Sequence, residues 1–319
     1  MLQYIIRRTL LALFMIFCVG TIIFFLIHLI PGDPVDVILS GVGSGSSATP
    51  EQYEAMRATL GLDKPLYEQY LRWLFRFLRG DLGTSPLSGR KVAPDIIRQL
   101  PRTLELIAGA LIIAVLVGLP AGVIAAVKSN TRYDLAVTTL SLVGLSLPNF
   151  VVGTMLILLF GLYLEWIPLG GYIAFSENPS EHLKLLFFPS FALGLALAAI
   201  IMRMTRSSLL EVLRQDYIRT ARAKGLSEFV INYHEALRNA LIPVVTITGV
   251  QVGTLLGGTV VVEYVFGWPG LSTLLIQGVW HRNYPMVQGV VMLMSGGFIF
   301  INLIVDIINA YLDPRIRYQ

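Results

Sequence analysis

Long apolar stretches are the feature that most limits the folds open to this chain. A helix needs about 20 mostly apolar residues to cross the roughly 30 Å hydrocarbon layer of a bilayer. With 55% hydrophobic and 14% charged residues, the chain has too little charge for a water-soluble domain, where about 25% is usual. The sequence predicts an all-α polytopic membrane protein with six transmembrane helices, at residues 9–30, 104–127, 135–164, 185–204, 241–262 and 287–308.

These spans divide the chain into three predicted regions. Residues 1–30 are the N-terminus and first span, residues 31–103 are an extracytoplasmic loop with its own helices, and residues 104–319 are a five-helix transmembrane core. The third span is too long for one straight crossing and contains Pro148 followed by Asn149, so we expect a bend or break there. Backbone breaks at membrane depth usually line a cavity.

The distribution of basic residues predicts the orientation, because lysine and arginine are retained in cytoplasmic loops. With the N-terminus inside, the internal segments carry 13 of the 24 basic residues, and the two short external loops carry only Lys184 and Arg282. The other 9 lie between Arg57 and Arg102, in a loop long enough to cross regardless of its charge. Both termini are therefore predicted to be cytoplasmic. This bias accounts for the net charge of +4, which gives no support to nucleic-acid binding.

The extracytoplasmic loop carries signals for two helices. Thr49, Pro50 and Gln52 are typical of an N-cap, a first helical position and a capping-box partner, and Gly61 is typical of a helix end. A second helix is predicted from Pro65 to Gly80, with an apolar face that suits a bilayer, a partner protein or this protein's own membrane helices. That predicted face consists of Tyr67, Tyr70, Leu71, Leu74 and Leu78.

The predicted cytoplasmic loop, residues 205–240, is polar and helical. A helix continues out of the fourth span, a basic stretch covers residues 216–224, and Gly225 is typical of a helix end. A second amphipathic helix is predicted to run to Ala240 and to meet Pro243 at the start of the fifth span. It has an apolar side that favours docking of a protein partner over a solvated basic loop on lipid phosphates. That side consists of Val230, Ile231, Ala236 and Leu237.

This loop resembles the signature loop of importer permeases in ATP-binding-cassette systems, and more narrowly that of the dipeptide, oligopeptide, glutathione and nickel permease family. The resemblance rests on DYIRTARAKG at residues 216–225 and ALRNALIPVV at 236–245. The general importer loop begins with Glu-Ala-Ala, and here Arg219 stands in place of the Glu. Further family motifs cover nearly the whole chain in order: PGDP at 31–34, GLDKP at 61–65, GDLG at 80–83, MRMTRSS at 202–208, WPGL at 268–271 and DPRIRY at 313–318.

The resemblance implies a type I ABC importer permease fold, of the dipeptide-permease B type, in the inner membrane of a prokaryote. It implies a heterodimer with a second homologous permease, two ATP-binding subunits or domains, an extracytoplasmic substrate-binding protein and contacts with membrane lipid. The cargo is a dipeptide, an oligopeptide, a glutathione-like peptide or a nickel complex. The loop residues implied to dock on the ATPase are Asp216, Tyr217, Arg219, Thr220, Ala221, Arg222, Ala223, Lys224 and Gly225.

The sequence itself also points away from ATP hydrolysis on this chain. A Walker A loop places a lysine directly after a glycine, so that backbone amides and an ammonium group hold the phosphates. None of the five lysines follows a glycine. We therefore expect no catalytic site and no cofactor here, and ATP and Mg²⁺ on the partner subunits.

Polar and small residues within the spans indicate how the bundle is built. Asn149 and Gln251 are candidate pathway residues, but hydrogen bonding across helices is the favoured role for them. In the fifth span, glycines at four-residue intervals allow close approach of another helix; they are Gly249, Gly253 and Gly257. Asp306 lies near the cytoplasmic end of the sixth span, where we expect it to pair with an arginine.

The sequence fits two other classes of protein less well. An intramembrane metalloprotease needs two histidines one helical turn apart around a glutamate; His234 and Glu235 begin that pattern, but Arg238 stands where the second histidine should be. No metal site is therefore predicted. The remaining histidines, His28, His182 and His281, are predicted to lie at membrane interfaces. An ion-coupled secondary transporter usually carries paired repeats and buried acids, for which six spans with one acid offer little.

Overall fold

The computed structural model describes residues 2–29, 35, 36, 39, 49–166 and 170–312. The motifs predicted at 31–34 and 313–318 lie outside the described residues. Within them the chain is helical, with one isolated antiparallel bridge between Thr84 and Lys91. The helices are α1 (Leu2–Leu29), α2 (Pro50–Leu60), α3 (Leu66–Leu78), α4 (Val92–Val127), α5 (Arg132–Ser146), α6 (Asn149–Tyr163), α7 (Pro179–Val212), α8 (Asp216–Ala223), α9 (Glu228–Phe266), α10 (Leu271–Trp280) and α11 (Tyr284–Leu312).

The membrane spans agree with the predicted all-α membrane fold. Among the described residues, 5 helices are long and apolar enough to cross a bilayer, and there are 6 spans if α5 and α6 are taken as one bent pair. That pair turns through 97° at the predicted position, around Leu147 and Pro148, which are both extended. The turn follows from proline, because its ring disfavours the helical conformation for the preceding residue.

The fifth span differs from its prediction at its N-terminal end. The loop helix and the span form one continuous helix, α9, which includes a π-helical segment at Ile231–Ala236 and passes through Pro243 without stopping. Proline removes one backbone hydrogen bond from a helix, but here no stop signal of the glycine type accompanies it. The N-terminal end of this span is therefore a direct extension of the loop.

The chain forms two compact units. The first consists of Met1–Thr9, Thr103–Pro269 and Phe298–Gln319, and the second consists of Leu10–Arg102 and Gly270–Gly297. In the first unit, α4 and α7 pack closely where one helix places a glycine against the backbone of the other. A Cβ atom on Gly122 would lie 2.6 Å from the Met202 carbonyl oxygen, and one on Gly194 would lie 2.8 Å from that of Ala110. Small residues let membrane helices pack at this distance.

The glycine series of the fifth span packs only in part. Gly249 lies directly against Val305, and a Cβ atom on Gly253 would lie 3.0 Å from the Phe298 ring, so both face α11. Gly257 has no described atom within 4 Å of the position that its Cβ would take. Within the described residues α11 is thus close to only two of the three glycines, and close packing at Gly257 stays a prediction.

Two ion pairs link segments of the first unit. Arg8 donates to Asp306 at 2.8 Å, which confirms that this acid pairs with an arginine. Arg206 on α7 makes a two-pronged contact with Asp134 on α5, at 2.6 and 2.8 Å. Asp134 also accepts hydrogen bonds from the Asn130 amide and the Thr138 hydroxyl, so the turn before α5 and helix α7 share one anchor.

The second unit begins with the predicted capping signals. Thr49 and Gln52 form a reciprocal capping box at the start of α2, and Gly61 ends that helix in the left-handed conformation, with φ of 71°. Helix α3 packs on α1 through Tyr70, Trp73 and Phe77. Of the predicted apolar face, Tyr70 takes part in this packing, whereas Tyr67, Leu71 and Leu78 are exposed. The predicted face therefore combined residues from two different sides of α3. The side that packs on α1 consists of Tyr70 together with Trp73 and Phe77.

Candidate coupling loop and translocation residues

Helix α8 is a short element with defined ends. Asp216 in its first turn and Arg222 in its last turn complement the helix dipole. At its end Gly225 takes a left-handed conformation, with φ of 79°. The Gly225 amide donates to the Arg222 carbonyl and the Leu226 amide donates to the Ala221 carbonyl, at 2.9 and 3.3 Å, which is the Schellman pattern of a helix C-terminus. Gly225 is thus a helix end, as the sequence predicts, and a Cβ atom there would meet open space within the described chain.

The inner face of α8 is buried within this protein. Ile218 is fully buried and Ala221 is only 9% exposed. They belong to a hydrophobic cluster with Val123 of α4, Leu209 of α7 and Ile231 of α9. Because Ala221 contacts its own chain, it is a packing residue, and the expectation that it docks directly on a partner is corrected.

The same cluster corrects the prediction for the second loop helix. Ile231 and Ala236 are fully buried in it, and Leu237 packs against it. Of the predicted partner-facing side, Val230 is exposed. An amphipathic pattern shows which residues share a face, but this face is covered by α4, α7 and α8 of the same protein.

The outer face of α8 carries most of the residues implied by the family motif. It is polar and basic, and it is fixed to its neighbours by two contacts. Arg222 donates to the Glu228 carboxylate at 2.8 Å, which raises the pKa of the Arg222 guanidinium. Asn239 donates to the Tyr217 hydroxyl at 2.9 Å and so ties α8 to α9. The exposed residues are Asp216, Tyr217, Arg219, Thr220, Arg222, Ala223 and Lys224.

Exposed aromatic residues beside α8 were not identified from the sequence. Phe229 is 71% exposed and Tyr233 is 46% exposed. Their rings lie 4.8 Å apart, one helical turn along α9, beside the π-helical segment. The sequence does carry a signal for this pair, because two aromatic residues four positions apart follow the helix end at Gly225. We call Tyr217, Arg219, Lys224, Phe229 and Tyr233 the loop surface.

The two candidate pathway residues lie on neighbouring helices. Asn149 is the first residue of α6, directly after the break, and Gln251 lies in α9; both are half-buried. The helices touch where Gly153 packs against Phe266, at 2.9 Å from the position a Cβ would take. The hydrogen bonds of the described residues do not join Asn149 to Gln251. The structure therefore places Asn149 directly after the break and Gln251 on the neighbouring helix, without making them one site.

Two further buried polar residues of the first unit were not identified from the sequence. Glu263 is fully buried in α9 and accepts a hydrogen bond from the Thr103 hydroxyl at 2.6 Å. It lies one residue beyond the predicted fifth span, where a sequence pattern suggests solvent. His182 is buried rather than interfacial: its Nδ1 lies 2.8 Å from the Ile173 carbonyl oxygen, and its ring packs on Trp268. These contacts anchor the tryptophan of the WPGL motif.

The described part of the chain contains no group of three or more metal-type side chains that could hold an ion. His234 and Glu235, which begin the metalloprotease pattern, are adjacent surface residues whose side chains approach to 3.4 Å. The loop surface presents cations and exposed aromatic rings on helices that pack together through one hydrophobic cluster.

Comparison with known proteins identifies the class. Residues 118–318 match the family described as the inner membrane component of binding-protein-dependent transport systems, and residues 1–107 match the N-terminal family of the same membrane components. The chain belongs to this family of ABC importer permeases. It is accordingly a multi-pass inner membrane protein and a transport subunit.

Particular relatives are similar over their whole length. The glutathione transport system permease protein GsiC of Escherichia coli O6:H1 is 43% identical over 319 residues, with 100% of both chains covered. The proteins of the same name from Escherichia coli K12 and Shigella flexneri serotype 5b are 42% identical, also over 100% of both chains.

Solved structures share the fold at lower identity. An inward-facing form of the MetNI methionine ABC transporter matches with a TM-score of 0.57 and 20% identity, covering 69% of this chain and 96% of that one. An amino acid ABC transporter crystallised with histidines matches with a TM-score of 0.52 and 17% identity, covering 69% and 94%.

Proposed function

We propose that this chain is the permease subunit that forms one half of the pathway for glutathione-like or other short peptides in an ATP-driven importer. Full-length identity of 42–43% to glutathione permeases supports a peptide cargo over a nickel complex. ATP and Mg²⁺ act on two partner ATPase subunits, and a second homologous permease supplies the other half of the pathway. An extracytoplasmic binding protein delivers the cargo. Asn149 and Gln251 are proposed to face the pathway near the bent pair.

The observation that carries this proposal is the way α8 is held. Its inner face contacts α4, α7 and α9 through one hydrophobic cluster, and its outer face is polar, basic and exposed. Packed elements respond to a push as rigid bodies because their interiors are close to incompressible. An ATPase that moves the loop surface therefore moves three membrane helices together, which is the coupling that an importer needs.

Orientation with both termini cytoplasmic is part of the proposal. It is supported by the excess of basic residues in the internal segments, and by the Arg8–Asp306 pair, which places the start of α1 beside the end of α11. In a protein whose Cys18 is replaced by serine, a cysteine in place of exposed Glu177 should react with an impermeant thiol reagent in intact cells. A cysteine in place of exposed Ser227 should react only after permeabilisation. Labelling of the Ser227 variant in intact cells would rule this orientation out.

The loop surface is tested by removing its aromatic rings. Phe229→Ala with Tyr233→Ala should lower recovery of the ATPase subunits with the purified permease about tenfold or more, because buried aromatic anchors contribute roughly 2 kcal/mol each to protein interfaces. Uptake of labelled glutathione should fall in parallel, at an unchanged membrane level of the permease. Tyr264→Ala, which removes an exposed ring of α9 outside the loop surface, is the matched control. Full ATPase recovery and full uptake in the double variant would show that this surface does not dock the ATPase.

A further inference from the structure

Helix α3 lies against the outer stretch of the first membrane span. Gln69 is 3.3 Å from His28, the Tyr70 hydroxyl is 2.9 Å from Thr21, and Trp73 packs where Gly20 leaves room for it. From Gly20 to His28 the helix rises about 12 Å. Ile5–Leu29 of α1 is long and apolar enough to cross a membrane, so we infer that α3 lies at the depth of the adjoining bilayer leaflet.

The side of α3 that faces away from α1 is apolar and exposed. Its residues recur at intervals of four, four and three, which places them on one face, and their exposure ranges from 46% for Leu71 to 70% for Leu78. An apolar face at this depth is suited to lipid chains. The residues are Tyr67, Leu71, Phe75 and Leu78.

A positively charged pocket lies beside this helix within the same unit. Its volume is about 270 Å³, and its described lining includes Arg72, Arg76 and Arg282 against a single acid, Asp81. Arg72 also donates to Glu68, which lies outside the lining, and Asp81 accepts a hydrogen bond from the Gly83 amide. The lining itself thus holds three guanidinium groups against one carboxylate. Charged groups at membrane depth pair with a counter-charge or line a cavity.

The aromatic part of the lining completes the match to an amphipathic anion. Trp73 and Tyr284 line the same pocket, and rings of this kind sit at the level of lipid headgroups. A guanidinium group binds a phosphate through two parallel hydrogen bonds, which makes arginine the usual ligand for that group. An acidic protein surface would pair with the arginines, but it would leave the exposed apolar face of α3 without an apolar partner.

We propose that this pocket binds the phosphate of a membrane phospholipid, whose acyl chains run along the exposed face of α3. The ligand chemistry is a phosphate ester joined to an apolar tail. Arg76 and Arg72 supply the charge from α3, and Arg282 supplies it from the segment after α10. The bound lipid fixes α3 against α1 at the membrane surface.

The test is native mass spectrometry of the full-length permease, purified with its partner subunits, after addition of phosphatidylglycerol, diacylglycerol or inorganic phosphate. Phosphatidylglycerol should bind about tenfold more weakly to Arg72→Gln with Arg76→Gln than to the wild type, because two charge-assisted contacts are lost. Diacylglycerol and inorganic phosphate should bind weakly to both proteins. Arg79→Gln with Arg98→Gln, which removes the same charge outside the pocket, should bind phosphatidylglycerol like the wild type.

Arg76→Lys keeps the charge but not the planar fork, and should show intermediate binding if the double variant folds poorly. Equal binding of phosphatidylglycerol by the pocket variant and the charge-matched control would overturn the proposal. So would tight binding of inorganic phosphate alone, which would make this a site for a free anion. Unchanged lipid binding together with loss of binding-protein stimulation would assign the pocket to an acidic protein surface instead.

Discussion

Replacing Ala221 by Asp is expected to abolish uptake while the protein still inserts in the membrane. Ala221 is 9% exposed and packs in the cluster that joins α8 to α4, α7 and α9. An unpaired carboxylate in that cluster costs several kilocalories per mole, so α8 detaches from the helices that it has to move. Uptake of labelled glutathione, normalised to the membrane level of the permease, measures the effect.

Ala223→Asp separates this packing effect from a change in charge. Ala223 is exposed on the same helix, so the same substitution there buries no carboxylate within this chain. Limited proteolysis should cut the loop of the Ala221 variant readily, and should leave the loop of the Ala223 variant as resistant as the wild type. Wild-type uptake in the Ala221 variant would show that α8 is a solvated connector with no part in coupling.

Asp134→Ala is expected to cause a large loss of stability. Its carboxylate is 8% exposed and the partner guanidinium of Arg206 is 31% exposed. Removing one member of such a pair leaves a poorly solvated charge, which costs about 3–5 kcal/mol when burial is complete. We expect about 2–4 kcal/mol here, because Arg206 keeps some contact with solvent. Denaturation of the purified protein in mixed micelles gives the free energy of unfolding.

Two controls define what the pair contributes. Adding Arg206→Met to the Asp134 variant should recover at least half of the lost stability, because the unpaired charge is then removed as well. Glu181→Ala breaks an exposed pair with Lys184 and should cost about 0.5 kcal/mol or less. A loss for Asp134→Ala no larger than that for Glu181→Ala would contradict the assigned role of the buried pair.

Local backbone chemistry made several features predictable. Pro148 forces the break between α5 and α6, Thr49 and Gln52 cap α2, and Gly225 ends α8 in a conformation that few other residues adopt. The Asp306 carboxylate was expected to form an ion pair with an arginine, and in the structure that arginine is Arg8. In each case the residue itself carries the constraint, so no knowledge of the tertiary structure is required.

The sequence could not show which helix or partner packs against a given apolar helix face. Ala221 and Ile231 belong to amphipathic patterns that fit a partner protein equally well, and only the packing shows that α4 and α7 cover them. Glu263 and His182 are polar residues near span ends that are buried by tertiary contacts. In a membrane protein the lipid-facing and protein-facing sides are both apolar, so hydrophobic periodicity does not distinguish them.

Uptake by proteoliposomes containing the permease and its co-purified subunits tests the central claim most directly. The binding protein and labelled glutathione are placed at the extracytoplasmic face of the permease, and uptake is compared with and without Mg-ATP at the opposite face. Ionophores abolish all ion gradients. The proposed function predicts accumulation that requires both ATP and the binding protein and is absent in the Ala221→Asp variant. Accumulation driven by an ion gradient without ATP would contradict it and would favour a secondary transporter.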